Sequence, residues 1–303
     1  FLRRSHPRYD SQGGIPGLAP VQFSIVTHRG CFGGCSFCSL GMHQGKFIQN
    51  RSPGSIVREA EGLTRHADFK GTIPDVGAPS ANMYGLKGTN EGICRSCRRP
   101  SCLYPSVCKN LIVDHTPSVK LWRRLRKIPG IKHIFVASGL RYDLLLRDRS
   151  TYLHDLCKYH VSGQLKIAPE HVSERVTHLM NKPGPGEYKR FIEKFKRINR
   201  ALGKEQYLVP YFISAHPGCT LQDTVQLAEF IRDQLQYYPE QIQNFTPTPM
   251  TVSTCMYYTG IDPASGEQVY VPRQLKERRM QRALLQYRNR ANHKLAREAL
   301  QTC

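Results

Sequence analysis

An α/β fold of six parallel strands joined by crossover helices is predicted for this chain on two features. Short β-rich runs alternate with longer amphipathic stretches, and parallel strands need long, usually helical, crossovers. Each of the six β-rich runs also ends in a segment rich in Gly, Pro, polar or sulfur-bearing residues. A partial barrel and an open doubly wound sheet both gather such strand exits at one end, and both carry their sites there.

The predicted strands are 21–27, 71–76, 131–137, 164–168, 207–213 and 241–245. Ser52 before Pro53 reads as an N-cap and first-turn pair opening a helix over 53–67, and Thr116 with Pro117 opens 117–128 in the same way. In 187–202, Tyr188, Phe191, Phe195, Ile198 and Leu202 recur at helical spacing, and Gly203 can close that helix. Thr220 and Asp223 make a capping box ahead of Leu221, Val225, Ala228, Ile231 and Leu235. The organisation that follows is an N-terminal loop segment at 1–20, a core over 21–272, a Cys-rich insertion at 84–115 within it, and a basic helix or helix pair at 273–303.

A chain of 303 residues with 40% hydrophobic residues can build a full core. It has no apolar run of membrane-spanning length, and residues 1–20 lack the apolar centre of a signal peptide. Starting at Phe1, it reads as a fragment lacking an N-terminal part. Lys and Arg number 44 against 23 Asp and Glu, a net charge of +21. That excess favours polyanionic partners, nucleic acid first, although a merely solvated basic surface gives the same count. Eleven cysteines without a secretory signal favour metal binding over disulfides, in a reducing cytoplasm.

Three cysteines fall within "CFGGCSFC": Cys31, Cys35 and Cys38, spaced C-x3-C-x2-C. Thiolates serve both structural zinc and iron–sulfur clusters. Zinc would need a fourth ligand, for which His28 and His43 are candidates. Gly30, Gly33 and Gly34 suit a backbone wrapped tightly around a bulky cluster. Three protein ligands on four irons leave one iron open.

The motif at the end of a first strand, with Phe37 before the last cysteine, resembles the signature of the radical S-adenosylmethionine (SAM) superfamily. "HRGCFGGCSFCSLGMHQGKFIQNRSPGSIVREAE", "DVGAPSANMYGL", "SGLRYDLLL", "KIAPEHVSERV" and "FTPTPMTVSTCMYYTG" are similar to the YgiQ-type proteins of that superfamily, relatives of methylthiolating enzymes of tRNA and proteins. Those proteins have a further N-terminal region that this sequence lacks. The resemblance implies a partial, TIM-like (β/α)6 barrel and a 4Fe-4S cluster on Cys31, Cys35 and Cys38. It also implies SAM on the open iron and reductive cleavage to a 5′-deoxyadenosyl radical. A reductant of the flavodoxin or ferredoxin kind would supply the electron.

The same resemblance places SAM contacts at Gly77, Ala78 and Pro79, although Ala78 stands where a second Gly is common. Ser138 and Arg141 fall where ribose and SAM-carboxylate contacts arise, and Arg suits a carboxylate. Glu170 and His171 become ribose or substrate contacts. His216, Cys219, Cys255, Tyr257 and Tyr258 sit near the last strand exits and are weaker candidates. A buried small hydrophobe is the plainer reading of the two thiols.

Cys94, Cys97, Cys102 and Cys108 are spaced C-x2-C-x4-C-x5-C inside the insertion. Four thiols can close a zinc site or hold an auxiliary iron–sulfur cluster, and spacing does not separate the two. Arg95, Arg98, Arg99 and Lys109 around them suit either a phosphate backbone or a thiolate-rich metal centre. Residues 273–303 carry nine Lys or Arg against two Glu. The expected activity is radical SAM modification of RNA. A peptide or protein substrate is the second expectation, and a non-enzymatic, zinc-stabilised nucleic-acid-binding module the third.

Overall fold

Six parallel strand positions follow one another in chain order across the sheet of the computed structural model, which describes residues 6–235, 238–239 and 242–303. β1 (Ile25–Val26) pairs with β3 (Val76–Gly77), while β2 (Thr72–Ile73) pairs on its other side with β4 (His133–Ile134). β2 and β3 are two halves of one predicted strand, separated at Pro74, which has no N–H to give. A parallel bridge from Leu140 to Ile167 joins this half to β5 (Gln164–Glu170). β5 pairs with β6 (Tyr207–Ser214), and β6 with β7 (Gln243–Asn244). No pairing closes the last strand onto the first among the described residues, so the sheet is an open (β/α)6 arrangement.

The predicted strands are all present but shorter than expected at the first three positions and at the last. Asp75 explains part of this. Its carboxylate takes the backbone N–H groups of Ala137 and Ser138 at 2.8 and 3.1 Å, so a side chain replaces the ladder where the third strand was expected to continue. Residue 241, which opened the sixth predicted strand, and residues 1–5 of the N-terminal segment lie outside the described residues.

Helices cross between the strands as the sequence requires. α1 (Pro53–Leu63) starts on Ser52, whose Oγ accepts from Ser55 N at 3.2 Å, and buries Ile56, Ala60 and Leu63. α2 (Thr116–Leu125) corrects one expectation. Thr116 is inside the helix and His115 is the N-cap, while Asp114 accepts from Thr116 N at 2.9 Å. α3 (Pro185–Leu202) turns Tyr188, Phe191, Ile192 and Phe195 inward and ends at Gly203 with φ +60. α4 (Leu221–Gln234) has the full capping box of Thr220 and Asp223. One apolar core joins strands β1 to β6 to helices α1 to α4.

The C-terminal segment is two helices, α5 (Leu275–Leu285) and α6 (His293–Thr302), packed through Met280, Ala283, Leu284, Ala296 and Ala299. The Cys-rich insertion leaves the barrel through an antiparallel ribbon, Lys87–Gly88 against Leu111–Ile112. Among the described residues no helix is long and apolar enough to cross a membrane.

Candidate metal centre

The loop that follows β1 carries Cys31, Cys35 and Cys38, and other parts of the fold hold its backbone from outside. Phe32 O accepts from Cys102 N at 3.0 Å, and Gly33 O from Ser101 Oγ at 2.6 Å. Gly34 O accepts from Asn181 Nδ2 at 3.2 Å, and Ser36 O from Ser253 N at 2.9 Å. With these four carbonyls engaged elsewhere, the loop is set in shape before any ligand arrives. A further chain of polar contacts runs from His216 Nε2 to Ser253 Oγ at 2.7 Å, on to Ser36 Oγ at 2.9 Å, and to Leu179 O at 2.5 Å.

Two glycines are required by close approach. A Cβ on Gly30, at φ +90, would lie 2.0 Å from Phe47 O. A Cβ on Gly34, at φ +58, would lie 2.5 Å from Pro100 O and 2.7 Å from Ser101 Cβ. Both positions combine a left-handed backbone with no room for a side chain. Gly33 differs. Its missing Cβ marks a point 3.3 Å from Cys31 Sγ, 3.5 Å from Cys35 Sγ and 3.4 Å from Arg141 Nη1. Two thiols and a guanidinium therefore converge on one small cradle.

All three cysteines border a cavity of about 690 Å³, together with Tyr104, Asn181 and Thr251. Clefts of roughly 300–1,000 Å³ are the usual size for small-molecule sites. Burial, and then Cys35 beside it, pushes the Cys31 thiol up to about 11, and burial raises Cys38 as well. Left alone these thiols keep their protons. A bound cation is what makes them ligands, and its binding would release protons.

Arg141 is buried, and its guanidinium grips Asp143 through Nε–Oδ1 at 3.0 Å and Nη2–Oδ2 at 2.6 Å. Its remaining Nη1 donates to Cys35 Sγ at 3.5 Å. The fork expected to meet a carboxylate of SAM thus already holds one from its own chain. Glu170 is buried at φ +66, with Lys182 Nζ 3.7 Å from its carboxylate. Burial pushes the Glu170 carboxyl up, and Lys182 opposes that.

The other expected contacts are distributed differently. Gly77 is buried beneath Ser138 Oγ and the Asp75 carboxylate, at 2.3 and 2.6 Å from where its Cβ would be. Ser138 Oγ donates to Asp75, so the hydroxyl read as a ribose contact is occupied by a strand-end lock. Ala78 and Pro79 follow Gly77 and, like Gly77 and Ser138, are not among the residues bordering the cavity. Phe37 packs with Val176, Met180, Ile213, Cys219 and Phe245 and lies edge-on to His216. His171 accepts from Ser173 N through Nδ1 at 3.1 Å, with burial lowering its pKa to about 4. Cys219 is fully buried between His171, Thr224 and Gln281, and burial pushes its thiol up to about 12. Cys255 and Tyr258 are exposed.

His28 is buried, with Nδ1 2.9 Å from Thr27 Oγ1, and His43 is exposed. Among the described residues no three His, Cys, Asp or Glu side chains stand around one point as a single-ion site. The three-thiol loop is compatible with a larger group. The chemistry of the donors, the Gly33 cradle and the externally tied loop all fit a cluster.

Residues 25–231 match the radical SAM superfamily, and residues 240–303 match a domain of unknown function, DUF3362. A UPF0313 protein of Methanocella arvoryzae is 54% identical over 300 residues, covering 99% of this chain and 49% of the relative. A UPF0313 protein of Clostridium botulinum (strain Okra) is 48% identical over 301 residues, 99% of this chain and 47% of the relative. The chain thus spans about half the length of these curated relatives. Among solved structures, the radical SAM methyltransferase TsrM from Kitasatospora setae, with tryptophan substrate and a SAM analog bound, is similar at TM-score 0.44 and 15% identity, over 77% of this chain and 39% of that one. A radical SAM methyltransferase from Sphaerobacter thermophilus is similar at TM-score 0.40 and 12% identity, over 88% of this chain and 63% of that one. With the match running over two thirds of its length and through all three cysteines of the loop, this chain belongs to the radical SAM superfamily.

Proposed function

We propose that the chain holds a 4Fe-4S cluster on Cys31, Cys35 and Cys38, binds SAM beside it, and modifies RNA. The observation that supports this most is the convergence of three unpaired thiols on one cavity from a loop whose carbonyls are tied to other elements. When bound, the cluster supplies the electron that splits SAM into methionine and a 5′-deoxyadenosyl radical.

The chain's own residues have separate tasks. Cys31, Cys35 and Cys38 are the ligands. Arg141 places a buried positive charge beside Cys35, which favours an anionic cluster and its reduced form over the oxidised one. Asp143 fixes the plane of that guanidinium. Glu170 and Lys182 form a polar wall near Cys38. Ser101, Asn181 and Ser253 hold the loop.

Two observations support an RNA substrate. The chain carries +21 net charge. Lys46, Arg98 and Arg99 border the cavity, and Asp262 is the acidic residue that joins them there. Cations placed like this neutralise phosphates and give binding that weakens steeply with salt. An electron donor of the flavodoxin or ferredoxin kind completes the reaction. All eleven cysteines are free, which suits a reducing cytoplasm.

The exposed Arg279 and Arg282 of α5, and the exposed Arg290 of the turn between α5 and α6, extend the basic surface. With a tRNA pool as probe, replacing all three by Gln is expected to weaken binding across sequences. The salt dependence is expected to flatten by about one unit of slope for each phosphate no longer neutralised. Unchanged affinity and slope would remove this face from the RNA surface. A wild-type chain with no measurable tRNA affinity at low salt would sink the RNA reading.

A further inference from the structure

The segment from Lys87 to Asp114 has no core of its own. Between those residues only Ser101 and Leu103 are buried, and both are buried against the cluster loop and barrel. Ser101 bonds Gly33, and Leu103 packs with Phe32, Met83, Leu86 and Leu144. Every other residue of the segment is half-buried or exposed, Ile93 and Ile112 included. Two strand-pair registers and one short helix, Glu91–Ser96, do not order such a segment. Small units without a core need a staple.

Four thiols occupy the place where a staple would act. Cys94 lies in the short helix, and Cys97 N donates back to Cys94 O at 3.2 Å. Cys108 N donates to Cys102 O at 2.7 Å, folding the last thiol onto the third. Asn110 Nδ2 donates to Cys94 Sγ at 3.1 Å, the kind of N–H to sulfur contact that supports a thiolate ligand. Gly88 leaves room for that sulfur, since a Cβ there would stand 2.4 Å from it. All four cysteines are half-buried and none is in a disulfide. The thiols do not yet surround one point. The stretches between them, Arg98–Arg99–Pro100 and Pro105–Ser106, are exposed.

We infer that Cys94, Cys97, Cys102 and Cys108 hold a second, thiolate-ligated metal centre, and that this centre fixes one wall of the cavity and buttresses the loop of Cys31, Cys35 and Cys38. Binding is a ligand exchange without redox change: the thiols give up protons and take the cation. The connection to the first site is direct. Cys102 N donates to Phe32 O, Lys46 Nζ donates to Cys97 O at 2.6 Å and to Arg99 O at 3.0 Å, and Arg98, Arg99 and Pro100 border the cavity. Lys46, Arg95, Arg98 and Arg99 offset the negative charge of a four-thiolate centre. The existence of the centre stands apart from the radical reading, while its role as a wall rests on it.

The test is metal content in the Cys31→Ser/Cys35→Ser/Cys38→Ser protein, which lacks the first ligand set. Purified without oxygen and desalted, it is expected to retain either about one zinc per chain or iron with inorganic sulfide. Adding Cys97→Ser and Cys102→Ser is expected to remove that metal. Zinc and iron outcomes both support the centre and identify it. A folded triple variant free of both metals overturns it, and so does metal that survives the two further substitutions. Limited trypsin digestion of the triple variant covers the case in which the five-site variant fails to fold. Chelation is expected to speed cleavage at Arg95 and Arg98 at least tenfold while the α/β core stays intact. Cleavage indifferent to the chelator counts against the inference.

Discussion

Replacing Cys35 with Ala is expected to abolish SAM cleavage and to reduce bound iron at the first site, while leaving the barrel folded. Cys35 is central in the loop. Its sulfur is 3.5 Å from the Gly33 cradle point and accepts from Arg141 Nη1. Losing it leaves two ligands where a cluster with one open iron needs three. It also leaves the buried Arg141 facing an empty methyl. The carbonyl ties of Phe32, Gly33, Gly34 and Ser36 do not involve the Cys35 side chain, so the loop should keep its path. Iron content, reductive formation of 5′-deoxyadenosine, and far-UV circular dichroism check the three parts. Cleavage at the wild-type rate in Cys35→Ala would refute the ligand assignment.

The second large effect is on stability. Arg141→Leu leaves Asp143 as a buried carboxylate without its partner, and breaking a buried ion pair from one side costs about 3–5 kcal/mol. The pair is almost wholly inside, with 7% and 2% side-chain exposure. Replacing both, Arg141→Leu with Asp143→Leu, is expected to recover most of the loss, because no uncompensated charge remains. Urea unfolding midpoints of the wild type and three variants form the required cycle. Burial alone would push the Asp143 carboxyl up, but Arg141 beside it holds the group below its ordinary value. The pair's contribution is therefore present above the usual carboxylate range, near pH 4, and is lost as pH falls through the depressed value. A double variant no more stable than Arg141→Leu alone would contradict this role for the pair.

Arg141 also shows how much of the site can be read from sequence. The cysteine spacing, the glycines between them and the position of the loop after a strand are local, and each is visible in "CFGGCSFC". The helix over Pro185–Leu202 and the Thr220–Asp223 box are equally local, being set by periodicity and by a cap four residues long. What holds the loop is not local. Asn181 reaches Gly34 across 147 residues of sequence, and Ser253 reaches Ser36 across 217. No pattern in either stretch announces those bonds.

Asp75 is similar in kind. It opens the stretch "DVGAPSANMYGL" with no role expected of it there, yet it captures the N–H of Ala137 and both the N–H and hydroxyl of Ser138, turning an expected ribose contact into a lock between strands. The partner of Arg141 stands only two residues on, at Asp143. That acid is legible as a residue, but its burial beside the guanidinium is not. Thr116 is not the N-cap because Asp114, two residues earlier, takes its backbone N–H first. In each case a side chain competes with an assignment made from the backbone pattern.

One product decides whether the loop of three cysteines is a radical-generating site. Under strict anaerobiosis, the iron-reconstituted wild-type chain is mixed with dithionite and SAM, and 5′-deoxyadenosine is quantified against time. Product that requires iron, reductant and SAM together is the expected result. A chain carrying a full complement of iron on Cys31, Cys35 and Cys38 that forms none would contradict the radical assignment.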